Sequence, residues 1–248
     1  MISAESSQEF LPASTAAPSK RSSQLGEGFK LVARYLDKIA AVLDDRNLFR
    51  GQASQDWTLQ PSALRSNAYG IRNHDHLARW KAIAGKFERA NSDLEWLALA
   101  QHYGIATTLL DWTTNPLVAL FFAAQPATRL VNQHADGTIY MASPSVFQQI
   151  PVGKFDIFSD WTGNPFYLAV EGRNRRAITQ SSAMTLHAPC PSSTPDCEPD
   201  LVFQFPGWAK FGVLDALAKM GLSAENIYAD INTAASELSR QLRMEGGK

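Results

Sequence analysis

Arg50, set between Phe49 and Gly51 and followed by Gln52, has the side chain best suited to holding an anion. A guanidinium fork presents its N–H donors in the geometry that phosphate oxygens match, and a glycine beside it has no Cβ to hold a ligand off the backbone. Gln52 can orient that fork or meet a ligand hydroxyl. A second group of polar side chains interrupts the apolar segment from Leu99 to Ala124: His102 and Tyr103, then Asp111 and Trp112, then Asn115. An imidazole titrating near about 6.5 suits general acid–base work, and in the last turn of a helix it equally caps carbonyls. Asp111, between Leu110 and Trp112 in an apolar run, must be paired or hydrogen-bonded if buried. Its candidate partners are Arg50, the free N–H groups of the helix that follows, or a ligand. Tyr103 and Trp112 read either as aromatic walls for a flat ligand or as core residues, and Asn115 as a helix cap.

The elements that position these groups follow from local patterning. Ser92 and Glu95 form a capping box, Leu94, Leu97, Ala98 and Gln101 recur at helical spacing, and Gly104 suits a left-handed terminus. His102 and Tyr103 therefore close a helix. Thr107 to Thr113 is β-branched, apolar and too short for a helix, which predicts a buried strand. Asn115 and Pro116 suit the cap and first turn of the next helix, Leu117 to Ala124, which is apolar on every face and at roughly ten residues too short to span a bilayer. Earlier, Phe29, Val32, Leu36, Ile39, Ala40 and Leu43 predict an amphipathic helix leading into the Arg50 strand, and His76 to Glu88 a second helix with Leu77, Trp80, Ile83, Ala84 and Phe87 on one face. An Asp136-Gly137 turn leads into a strand over 138–142; further strands are expected over 166–170, 177–180, 184–187 and 201–205, and helices over 208–220 and 230–244. The fold class is α+β, a central sheet of short strands with helices packed on it.

Composition narrows the function classes. The 248 residues carry a net charge of -1, which gives no global attraction to nucleic acid or acidic membranes. Residues 1–24 are rich in Ser, Ala and Pro and read as a disordered tail, leaving 25–248 as a single domain. Cys190 and Cys197 sit in a Pro- and Ser-rich stretch without metal-ligand spacing, so neither a zinc site nor a disulfide framework is expected. No signal peptide or membrane span is evident, and a soluble, cytoplasmic protein is expected.

Phe49-Arg50-Gly51-Gln52, Trp57-Thr58-Leu59-Gln60-Pro61-Ser62 with Arg65, Gln101-His102-Tyr103-Gly104, Leu110-Asp111-Trp112-Thr113 and Asn115 to Ala123 together resemble the FRG domain family. Arg175 to Gln180 and Ile227 to Ile231 resemble its later elements, although Ser181, Ser182, Met184 and Ala229 depart from the family pattern. The order of elements is similar to the ADP-ribosyltransferase fold. That resemblance implies NAD as substrate, Arg50 on its phosphate or ribose, and a nicotinamide pocket at the Asp111–Asn115 corner. The late position that carries a Glu in that superfamily falls near Gln180, and Glu171 is the nearest carboxylate upstream. The implied site has Asp111, Gln180 and His102 as catalytic residues. Arg50, Gly51, Gln52, Tyr103, Trp112 and Asn115 would hold the cofactor, and no metal is involved. Arg173, Arg175 and Arg176 form a basic run before Gln180 that can be a solvated loop or hold phosphates. The implied activity is that of an NAD-dependent ADP-ribosyltransferase-like toxin or anti-phage effector acting on a protein or nucleic-acid acceptor. The alternative is a nucleotide- or nucleic-acid-binding module without chemistry, since a glutamine lacks the negative charge that stabilises a developing cation. A nuclease is disfavoured, because Asp, Glu and His do not cluster at metal spacing.

Overall fold

The computed structural model describes residues 20–42, 47–65, 69–126, 135–151, 155–161, 163–169, 182–189 and 199–228. In chain order the elements are α1 (Lys20–Ala40), β1 (Leu48–Gln52), α2 (His74–Ala84), α3 (Asp93–His102), β2 (Leu109–Thr113), α4 (Pro116–Ala124), β3 (Gly137–Ala142), β4 (Gln148–Gln149), β5 (Phe166–Ala169), β6 (Ser182–Leu186), β7 (Asp200–Phe205), α5 (Lys210–Lys219) and α6 (Ala224–Tyr228). The fold is α+β. The strands form a seven-stranded mixed sheet in the order β4-β5-β6-β2-β1-β3-β7, parallel only between β4 and β5. The Arg50 strand and the Asp111 strand are thus central neighbours, flanked by the late strand β6 and by β3.

Helices α1, α4 and α5 pack on one face around Phe49, Ile139 and Phe205, and Leu97 and Ala100 of α3 with Leu77 of α2 extend that layer over Leu109, Leu168 and Leu186. The opposite face holds a smaller cluster of Leu48, Leu110, Trp112, Ala142, Phe147 and Ala183. Six of the nine residues of α4 are buried, which accounts for its apolar character all round. Asn115 caps it as expected, its side-chain oxygen accepting from Leu117 N at 2.9 Å and Val118 N at 3.4 Å, with Pro116 at the first position. Asn115→Ala is expected to cost ~1 kcal/mol, read as a lowered urea midpoint with an unchanged slope.

The cap at α3 differs in its second half. Ser92 accepts from Glu95 N at 3.2 Å, but the Glu95 carboxylate reaches Asn91 N at 2.7 Å rather than the cap residue's own N–H. Gly104 and Gly221 take positive φ at 82° and 86° after α3 and α5, as their positions require.

Some helical faces turn away from their expected orientation. Helix α1 starts at Lys20, inside the stretch expected to be a disordered tail, and buries Leu31, Val32, Tyr35 and Ile39, while Phe29 and Leu36 are exposed. The cause is its crossing with α5, where a Cβ on Gly28 would lie 1.9 Å from Gly212 O; that contact sets the rotation of the helix. Helix α2 starts two residues early, capped by Asn73, and ends before Gly85, so Ile83 and Phe87 lie at its exposed end rather than on a buried face. Trp208 lies in a 3-10 turn over Gly207–Ala209 that precedes α5. Gly137 is already the first residue of β3, and the residue before it, Asp136, is not in the expected turn. Its carboxylate accepts from Gly207 N at 3.0 Å and from Gln204 Nε2 at 3.0 Å, tying the entry of β3 to the end of β7. The expected strand over 177–180, the helix over 230–244, both cysteines and the basic run lie outside the described residues.

Candidate functional site

Side-chain alternation along β1 places Leu48, Arg50 and Gln52 on one face of the sheet and Phe49 and Gly51 on the other. The pairing of Phe49 with Thr113 carries this parity into β2, so Leu110 and Trp112 share the Arg50 face. Asp111 points to the helical side. Gly51 has a packing role instead of the close ligand approach expected of it: a Cβ there would lie 1.8 Å from Ala119 O and 2.7 Å from Ala123 N of α4.

Between β1 and β2 the ladder consists of that single paired position, whereas β2 and β6 stay paired from Leu109 to Thr113. His187 N donates to Thr108 O at 3.0 Å, so along β2 the backbone groups of Leu110 and Trp112 face β6 while those of Leu109, Asp111 and Thr113 face β1. The Asp111 carbonyl therefore looks into the gap left by the splayed strands. Arg50 fills it, Nη1 donating to Asp111 O at 2.5 Å. Burial pulls the Arg50 pKa down to about 10, with the Asp111 charge opposing and the Arg65 charge adding to the shift. The guanidinium stays charged at neutral pH.

A loop from Ala53 to Arg65 leaves the end of β1 and returns beside β2, covering the Arg50 face. Buried Lys210 holds its start, donating to Ala53 O and, at 3.3 Å, to Gln125 O. Gln52 Nε2 donates to Thr58 O at 3.4 Å, and Ala63 N to Thr107 O at 3.1 Å. The loop ends on Arg65, whose Nε donates to Gln60 O at 3.2 Å and whose guanidinium lies 5.9 Å from the Trp57 ring centre. Burial lowers the Arg65 pKa too. Among the described residues neither Arg50 nor Arg65 makes an ion pair.

Buried polar atoms without partners gather on the same side. Gln52 and Thr138, directly opposite each other on β1 and β3, are each 2% exposed; among the described residues Gln52 Oε1, Thr138 Oγ1 and Arg50 Nε have no hydrogen-bond partner. On the β6 side Trp112 Nε1 donates to Thr185 Oγ1 at 3.0 Å, and Thr185 Oγ1 lies 3.0 Å from His187 Nε2. Burial, then the Arg50 charge, press the His187 pKa down to about 3. Of the strand carboxylates described, Asp111 and Asp200, neither is on this face. Asp56 of the covering loop meets the Ser54 hydroxyl at 3.4 Å.

Of the residues expected in the site, Arg50, Gln52 and Trp112 come together here. The others do not join them. The Asp111 carboxylate accepts from Gln101 Nε2 at 2.6 Å, and Gln101 in turn accepts from the Thr107 hydroxyl, so the expected Arg50–Asp111 pairing runs through the Asp111 backbone and not its side chain. His102 is exposed at the end of α3, edge-on to Tyr103 at 5.3 Å. The Tyr103 hydroxyl donates to Glu88 at 2.7 Å, and its ring is 56% exposed. Asn115 is occupied as a cap. Gln180 and Glu171 lie outside the described residues. Thr138, Thr185 and His187 were missed, because only strand pairing shows that they share a face with Arg50. Arg65 stood in a recognised motif, but nothing local tied it to Arg50. No group of metal-ligating side chains is present among the described residues.

The FRG domain family model matches residues 45–130, the segment holding Arg50, the covering loop, Asp111 and α4. No curated protein and no solved structure matches the chain. Among the described residues no helix is long and apolar enough to cross a membrane.

Proposed function

For this chain, which carries an FRG domain, we propose that the Arg50 face of the sheet binds a phosphorylated, nucleotide-type ligand, with NAD the first to test. The observation that carries this reading is a pair of guanidinium groups, Arg50 and Arg65, that make no ion pair among the described residues, beside the buried Gln52 Oε1 and Thr138 Oγ1, which have no hydrogen-bond partner there. Burial and the Arg65 charge both disfavour the charged Arg50 while the Asp111 charge offsets part of this, and an anion on the Arg50 face would add to the favourable side. Buried polar atoms without partners among the described residues leave hydrogen-bonding capacity that a ligand's oxygens and hydroxyls can fill. Trp57, partly exposed beside Arg65, offers a ring on which a base can stack.

Support for an ADP-ribosyltransferase-like fold and reaction comes from the adjacency of β1, β2 leading into α4, and the late strand β6. In that reaction nicotinamide departs and leaves an oxocarbenium-like sugar, which needs negative charge or an aligned dipole beside it. Asp111 is turned to Gln101 on the other face, so that group would come from the segment holding Glu171 and Gln180. The same orientation of Asp111 favours the second reading, a binding module that holds the nucleotide without cleaving it.

Thermal unfolding and nicotinamide release, measured together at millimolar NAD, separate the readings. A raised Tm with nicotinamide release supports the transferase-like enzyme; a raised Tm without release supports the binding module. No shift with NAD, ADP or pyrophosphate overturns the site. Arg65→Ala is expected to weaken NAD binding about tenfold, with a smaller difference between the two proteins at high salt, measured by calorimetry at two ionic strengths.

A further inference from the structure

We propose that His187 is a ligand-contacting residue of this site, a neutral imidazole that donates its Nδ1–H to an oxygen of the anion held by Arg50. The inference rests on the anion-binding reading above and adds a third donor to it.

Hydrogen-bond satisfaction along β6 assigns the proton to one nitrogen. An indole N–H can only donate, so Thr185 Oγ1 accepts from Trp112 at 3.0 Å and must direct its own hydrogen elsewhere. Among the described residues His187 Nε2, 3.0 Å away, is the acceptor within reach of that hydroxyl. An Nε2–H donating to the second lone pair of Thr185 Oγ1 would leave the buried hydroxyl hydrogen without an acceptor among the described residues, so we assign Nε2 as the bare nitrogen of a neutral ring and the hydrogen to Nδ1. Trp112 and Thr185 are 3% and 0% exposed, so the relay is built into the packed sheet and holds the ring on the Arg50 side. His187 itself is half-buried, and Nδ1 has no partner among the described residues.

Neutrality follows from the surroundings. Arg50 on β1 repels a second positive charge, and burial disfavours the charged ring. Of the other titratable groups on the elements around it, Tyr167 on β5 lies opposite Thr185, Arg65 adds positive charge near Arg50, and the Asp111 carboxylate faces Gln101 beyond the sheet. Asp56 on the covering loop is engaged with Ser54. None of these stands in ion-pair contact with His187. A neutral N–H beside a guanidinium suits a phosphate oxygen: the arginine supplies charge, and the imidazole supplies direction without adding to the repulsion in the free protein.

The test uses the full chain, 15N-labelled at histidine, with inorganic pyrophosphate and NAD as separate probes. Long-range 1H–15N spectra are expected to show the Nδ1–H tautomer of His187, unchanged between pH 5 and 8, and a shift of that Nδ1 when either probe binds. H187A and T185V are expected to weaken both probes about tenfold, the loss for one hydrogen bond to a charged group. H187N places an amide donor close to the Nδ1 position and is expected to recover most of the affinity. An Nε2–H tautomer, titration near the ordinary histidine value, or full affinity in H187A would overturn the proposal while leaving the anion site standing. A wild-type protein that binds neither probe would overturn both.

Discussion

Arg50→Ala is expected to remove the ligand-induced rise in Tm altogether and to weaken NAD or pyrophosphate binding by roughly thirty- to several-thousandfold. That is the range for deleting one member of a desolvated, charge-assisted contact of ~2–5 kcal/mol. The same change leaves the Asp111 carbonyl without its donor in the gap between β1 and β2, at a further cost to stability of ~1–3 kcal/mol. Both effects are read from one pair of melts, without and with ligand. The fold is expected to survive, since Phe49 and Leu48 keep β1 seated on both faces of the sheet. Arg50→Lys separates the roles: a lysine retains charge but cannot bridge the Asp111 carbonyl and a phosphate with a planar fork, so ligand affinity is expected to fall between that of the wild type and the alanine variant. Equal ligand shifts in wild type and Arg50→Ala would move the site elsewhere.

Gly51→Ala acts on the opposite face and is expected to damage folding more than any ligand contact. The added methyl would stand 1.8 Å from Ala119 O and 2.7 Å from Ala123 N, both backbone atoms of a helix wedged against the sheet. Neither can rotate away as a side chain would. Helix α4 would have to lift from β1, opening the cluster around Phe49, Leu120 and Ile139. We expect a loss of ~3 kcal/mol or more, at or above the upper end of ordinary overpacking, seen as a Tm lowered by about 6–12 °C or as insoluble expression. A Gly51→Ala protein with the wild-type Tm but no ligand response would instead return this glycine to the binding role expected of it from sequence.

Local residue patterns were enough to mark the punctuation of the fold. Ser92, Asn115 with Pro116, Gly104 and Gly221 mark helix ends through bonds and dihedral preferences confined to a few residues, and they do so without reference to the rest of the chain. The apolar run of α4, the strand character of residues 109–113 and the anion-binding potential of Arg50 were legible on the same short range. Tertiary structure decided which side chains meet. Arg50 and Asp111 both lie in the segment that the FRG domain family model matches, yet the register of β1 on β2 sends one to the face covered by the loop and the other toward Gln101. A shift of one residue in that pairing would put both on the same face, and nothing in either strand alone sets it. Thr138 and His187 enter the site because β3 and β6 lie beside the central pair, a neighbourhood created by chain crossings of many residues. Phe29 faces out and Gly51 faces α4 for the same reason: the side an element buries is chosen by the partner it packs against, and that partner is remote in sequence.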